Sequence, residues 1–197
     1  MLRAILQVWG GTFYLLNKIL LSRVERTTGE KQKRRRILCW SVYLVGAPAW
    51  LTIFAIERNW IAGAAELGGT LSMVLGVVIA VRGKGNEPRW IDWVARLAVA
   101  IGLAYSVYDF GGIKAITQLL ELGLVTGFLF GTYLLAKQRP AGYPCFMLMN
   151  ASNAFLMGIE GYPWLVFQQL ISLGFVLDAY LTQKRRARAK ILAADTT

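Results

Sequence analysis

Long apolar runs divided by short polar stretches set the pattern of this chain. Residues 37–56 (ILCWSVYLVGAPAWLTIFAI) form the first run, close to the ~20 residues an α-helix needs to cross a bilayer. Further runs cover 60–81, 91–108, 113–136, 143–159 and 162–182. Pro48 is placed to kink the first, which membrane helices tolerate. Trp60, Trp90, Trp93, Tyr105 and Tyr108 fall near run ends, where amphipathic rings favour the interface. The pattern predicts an all-α, polytopic integral membrane helical bundle of six or seven transmembrane helices, paired into hairpins across short loops.

The first 22 residues leave two readings open. Leu2, Ile5, Leu6, Trp9, Phe13, Leu16 and Leu20 recur at helical spacing, with Gln7, Asn17 and Lys18 off the stripe. An amphipathic helix in the membrane interface fits. A seventh span fits as well, with Lys18 snorkelling at its end. Residues 23–36 are charged and poor in apolar types, so they read as a basic cytoplasmic linker. Residues 37–182 make the bundle, and 183–197 a basic cytoplasmic tail.

Composition supports lipid as the solvent. Hydrophobic types make up 56% of the 197 residues and charged types only 17%, against ~25% charged in soluble domains. The net charge of +11 would point to nucleic acid if it were spread over a soluble surface. Instead the cations cluster between alternate runs: Arg23 to Arg36, then Arg82, Lys84 and Arg89, then Lys137 and Arg139, then Lys184 to Lys190. The opposite connections hold only Arg58 and Lys114. The positive-inside rule then puts the basic loops and the C-terminus on the cytoplasmic side, with no nucleic acid as partner.

An internal repeat lies within the runs. Glu66-Leu67-Gly68 aligns with Glu121-Leu122-Gly123. Small residues follow at equal offsets, Gly68, Ser72 and Gly76 against Gly123, Gly127 and Gly131, and the closing cations Arg82 and Lys137 also match. Small-xxx-small spacing puts each trio on one helix face, where backbones approach closely within a chain or across a homo-oligomer.

Polar residues submerged in the runs are the candidates for function, because an ionisable group in the bilayer costs ~2.5–3.5 kcal/mol on insertion scales. They are Glu66, Arg96, Gln118, Glu121, Asn150, Asn153, Gln168, Gln169 and Asp178. Each also fits a structural role as interhelical glue. The amides on the last three runs together suggest a polar cavity for a hydrogen-bonding ligand. Enzyme classes recede. The chain has no histidine, its two cysteines Cys39 and Cys145 have no His partner, and Gly83-Lys84-Gly85 lacks the phosphate-loop spacing. No catalytic residue, cofactor or metal site is expected.

Residues 60–184 resemble the PnuC-type nicotinamide riboside transporter family. The likeness rests on two spans that open on an acid and close on a cation (Glu66 to Arg82, Glu121 to Lys137). It continues through Tyr143, Phe146 and Asn150, the outer turn Gly161-Tyr162, and the amides Gln168 and Gln169. Tyr143 and Phe146 stand where that family usually has tryptophan. The resemblance implies facilitated diffusion of a vitamin- or nucleoside-like solute, and carries Glu121, Asn150, Tyr162, Gln168 and Gln169 over as substrate-binding residues. Asn153 joins them as a mid-depth amide. The alternative is a non-transporting accessory protein whose basic cytoplasmic segments bind anionic lipid.

Overall fold

The computed structural model describes residues 1–109 and 116–194. Among the described residues there are seven helices and no strand. They are α1 (Leu2–Glu25), α2 (Gly29–Ile56), α3 (Trp60–Arg82), α4 (Arg89–Asp109), α5 (Ile116–Ala136), α6 (Gly142–Ile159) and α7 (Pro163–Ala194). Lys114, the first residues of the 113–136 run and the end of the tail lie outside the described residues.

Local chemistry sets the helix ends. Asn59 caps α3 by accepting the Ala62 amide at 3.0 Å, which satisfies one of the free donors of the first turn. Pro163 opens α7, where a missing N–H costs nothing. Gly161 reverses the chain between α6 and α7 at φ 78°, a left-handed conformation that favours glycine. Within α2, Thr52 donates to the carbonyl of Pro48 at 2.7 Å, so the proline sits inside a continuous helix.

Six helices close a ring: α1 packs on α2, α2 on α3, α3 on α5, α5 on α6, α6 on α7, and α7 back on α1. Helix α4 lies outside the ring against α3 and α5, with Trp90, Trp93, Leu97, Ile101 and Tyr108 facing outward. The ring is apolar outside, and its largely apolar core encloses a polar cluster. Val8, Val45, Leu67, Leu148 and Phe167 are exposed, whereas Asn17, Lys18, Glu66, Asn150 and Ser172 are buried. That distribution suits a lipid surround, where polar groups must find partners inside the protein.

Among the described residues five helices, α1, α2, α3, α5 and α7, are long and apolar enough to cross a membrane. Neither α4, with Arg89, Asp92 and Arg96 along it, nor the 18-residue α6, with its two asparagines, is among them. The balance differs from the sequence reading, which takes 91–108 and 143–159 as spans and leaves 1–22 open. Helix α1 packs between α2 and α7 as part of the ring.

The linker reading of residues 23–36 is corrected. Only Arg26, Thr27 and Thr28 separate α1 from α2. The polar side chains there cap the helix instead of floating in water. Thr27 and Gln32 donate to the Val24 carbonyl, Arg35 donates to that of Arg23, and Arg36 pairs with Glu25 at 3.5 Å. The basic tail is likewise helical through Ala194 as an extension of α7.

The internal repeat becomes two packing seats. In α5, Gly123, Gly127 and Gly131 all face α6, meeting Ser152, the Cys145–Met149 backbone and Phe146. In α3, Gly68 faces α4 and α5, and Gly76 receives Trp40 of α2. The shared spacing serves close approach in both, but toward different neighbours.

Polar clasps lock the basic end. Asp178 of α7 accepts from Ser22 and pairs with Arg26 at 2.6 Å. Arg186 donates to the Thr27 carbonyl at 2.9 Å, so α7 is tied to the α1–α2 turn. Across the ring, Lys137 pairs with Glu87 at 2.5 Å and with Asp92 at 3.3 Å. The Lys137 ammonium hydrogen-bonds the Glu87 carboxylate and holds its pKa below the usual range. Glu87 therefore stabilises the fold fully above the unfolded carboxylate value of ~4.3. That contribution is lost as pH falls through the lower folded value. The melting temperature in detergent should drop on acidification below about pH 4, and Lys137→Met should make that drop shallower. An unchanged acid profile in the variant would show that the clasp contributes nothing.

Candidate functional site

The ring interior gathers one or more polar or aromatic side chains from nearly every helix around it. Its hub is Tyr14, half-way along α1. The Tyr14 hydroxyl lies 2.9 Å from Asn150 Oδ1, 3.2 Å from Gln169 Oε1 and 3.2 Å from Ser172 Oγ, which donates to it. Asn150 is fully buried and donates from Nδ2 to the Phe146 carbonyl at 2.6 Å, which fixes its amide orientation. Tyr14 thus bridges α1, α6 and α7.

One turn along α1, Lys18 enters the same interior and is 0% exposed. Its Nζ lies 3.7 Å from the centroid of the Phe146 ring and 4.8 Å from that of Tyr14. Aromatic faces attract a desolvated cation, by ~2 kcal/mol or more. They accept none of its three N–H groups in a conventional hydrogen bond, and Nζ has no hydrogen-bond partner among the described residues. On the facing side, Glu66 of α3 is 6% exposed and accepts from the Tyr43 hydroxyl at 3.1 Å through Oε2. Its Oε1 is buried without a partner among the described residues. The two charges act on each other electrostatically but form no ion pair. Tyr14 and Tyr43 stand edge to face at 6.3 Å, and Tyr43 meets Phe128 of α5 at 6.2 Å.

A cavity of about 160 Å³ opens at the basic end of the ring. Glu25, Arg36, Gln138, Arg139, Tyr143 and Gln183 contribute to its walls, and Cys39 and Leu21 also line it. Asn17 donates to the Cys39 carbonyl at 2.8 Å, and the Cys39 thiol donates to the Asn17 carbonyl at 3.4 Å. Lys18 directly follows Asn17. Cys39 thus links the wall of this vestibule to Asn17, the neighbour of Lys18 on α1.

The residues singled out in the sequence divide. Asn150 and Gln169 converge on Tyr14. Gln168 points elsewhere, donating to the Gly11 carbonyl at 3.2 Å where α7 meets α1. Asn153 is half-buried one turn along α6 from Asn150. Glu121 is half-buried near the start of α5, within electrostatic reach of Glu160. Tyr162 is 54% exposed in the α6–α7 turn. Among the submerged charges outside this set, Arg96 pairs with Asp92 at 2.7 Å and donates to Tyr133 on the outer flank.

Tyr14, Lys18, Tyr43 and Ser172 are missed by the sequence reading. Lys18 carries the signal that could have found it, because an ionisable residue in a membrane span is a functional candidate by default. The arrangement defines a polytopic helical membrane protein with a charged, hydrogen-bonding centre. No protein-family model, curated protein or solved structure matches the chain.

Proposed function

We propose that this protein is a transporter of the bacterial inner membrane for a small polar, vitamin- or nucleoside-like solute, working by facilitated diffusion with its basic end in the cytoplasm. The observation that carries the reading is the Tyr14 hub. Three polar side chains from two other helices meet one hydroxyl inside a ring whose outer surface is apolar. A bundle that needed only stability could fill this space with leucine. Hydroxyl and amide groups there can exchange their mutual hydrogen bonds for bonds to a solute without leaving any group unpaired. On this reading the vestibule lined by Cys39 would be the approach from the cytoplasmic side. The solute class follows from the likeness of Asn150, Gln169 and the outer turn to the nicotinamide riboside carriers. The helical basic segments at 29–36 and 184–190 would rest on anionic lipid.

The test is uptake by proteoliposomes containing the purified protein and no ATP, with nicotinamide riboside as the first solute. Tyr14→Phe removes the shared hydroxyl and keeps the ring, and Asn150→Ala removes the amide. Each is expected to reduce uptake at least ten-fold while the protein remains monodisperse in detergent. Wild-type rates in both variants would remove this site from the pathway.

A further inference from the structure

Two buried charged groups in the ring face the same interior and lack a partner on that side. The Lys18 ammonium is enclosed by the Phe146 and Tyr14 rings with its N–H groups unused. The Glu66 carboxylate uses one oxygen on Tyr43 and leaves Oε1 unused. Buried polar groups are ordinarily satisfied, so each such orphan calls for an explanation. Had the two served only to neutralise each other, direct contact would satisfy both at once, yet they form no ion pair.

We infer that the site takes a small zwitterion, with a carboxylate bound at Lys18 Nζ and a cationic group held toward Glu66 Oε1 among the faces of Tyr14, Tyr43 and Phe128. This rests on the transport reading above and departs from it in one respect: nicotinamide riboside is itself a cation, so its carboxylated relatives are the better-matched passengers. The charge balance argues for it. Lys18 and Glu66 sum to zero, so a solute of zero net charge leaves the buried centre neutral. A solute that is only a cation leaves an excess positive charge in a low-dielectric interior, where uncompensated charge is most costly. The carboxylate also gives Lys18 the charge-assisted acceptor that the aromatic rings cannot provide. The cation in turn gains the Glu66 oxygen and the ring faces. Asn150, Gln169 and Ser172 remain for the solute's neutral polar groups.

Matched solutes test this in proteoliposomes. One pair is nicotinic acid riboside and nicotinamide riboside, which share a pyridinium ring and differ in a carboxylate. The second is glycine betaine and choline, which share a quaternary ammonium and differ in the same way. In at least one pair the carboxylated member should enter at least ten-fold faster and should compete with its own uptake. Lys18→Met should erase that preference and Lys18→Arg should keep it. Faster entry of the cationic member in every pair that enters overturns the carboxylate assignment and leaves transport standing. Retention of the preference in a folded Lys18→Met variant overturns the assignment to Lys18. Entry of none of the four solutes overturns both readings.

Discussion

Replacing Gly127 with alanine should cost about 2–3 kcal/mol of stability, the upper range for overpacking a tight interior. A Cβ at this position would stand 2.5 Å from the Cys145 carbonyl oxygen and 2.7 Å from the Met149 amide nitrogen. Both are backbone atoms of α6, so no side-chain rotation relieves the clash and the two helices must separate. That separation loosens α6 and with it Asn150, which lies next to Met149. Two other glycines act as internal standards. At Gly123 the nearest atom is the Ser152 hydroxyl, which can rotate away, so alanine there should cost less. At Gly174 in α7 a Cβ meets nothing within 4 Å. Alanine there should be neutral or stabilising by up to about 1 kcal/mol through better helix propensity. Melting temperatures of the three variants in one detergent give the ranking. If Gly127→Ala melts with Gly174→Ala, the α5–α6 contact is not the close seat described.

The legible part of the fold follows from what lies at each helix end. Asn59, Pro163 and Gly161 punctuate the chain chemically, and the predicted limits at 60 and near 162 agree with α3 and α7 to within a residue. The basic ends are less legible because arginine and lysine are good helix formers. Polarity alone does not distinguish a helix that projects beyond the membrane from a linker. Thus α2 starts at Gly29 and not at 37, and α7 runs on to Ala194. Within the site, Asn150 and Gln169 stand out because amides in apolar runs need partners. Lys18 is harder. A polar face on α1 meets either water or a ring interior, and only the packing of α2 and α7 decides which. Tyr14 is hardest, since its partners lie 136 and 155 residues away. A tyrosine in an apolar helix reads equally well as packing.

The second large effect concerns the two buried charges of the ring. Glu66→Gln removes the negative charge that offsets Lys18, and Lys18→Met removes the positive charge that offsets Glu66. The two groups do not touch, so each single loss should cost less than the ~3–5 kcal/mol of a broken buried ion pair, on the order of 1–3 kcal/mol, because the survivor remains in a medium that solvates it poorly. The double variant Lys18→Met/Glu66→Gln leaves no charge behind. Its glutamine can still accept from Tyr43, and its methionine can still lie against Phe146. It should therefore melt closer to the wild type than either single variant, with a coupling of about 1–3 kcal/mol. Losses that simply add would show that the two charges do not sense each other through the ring. The double variant also separates architecture from use. A ring that folds well without Lys18 and Glu66 does not need them as scaffolding. If it also fails to move a zwitterion that the wild type carries, the unused N–H groups and the unused oxygen are there for the passenger.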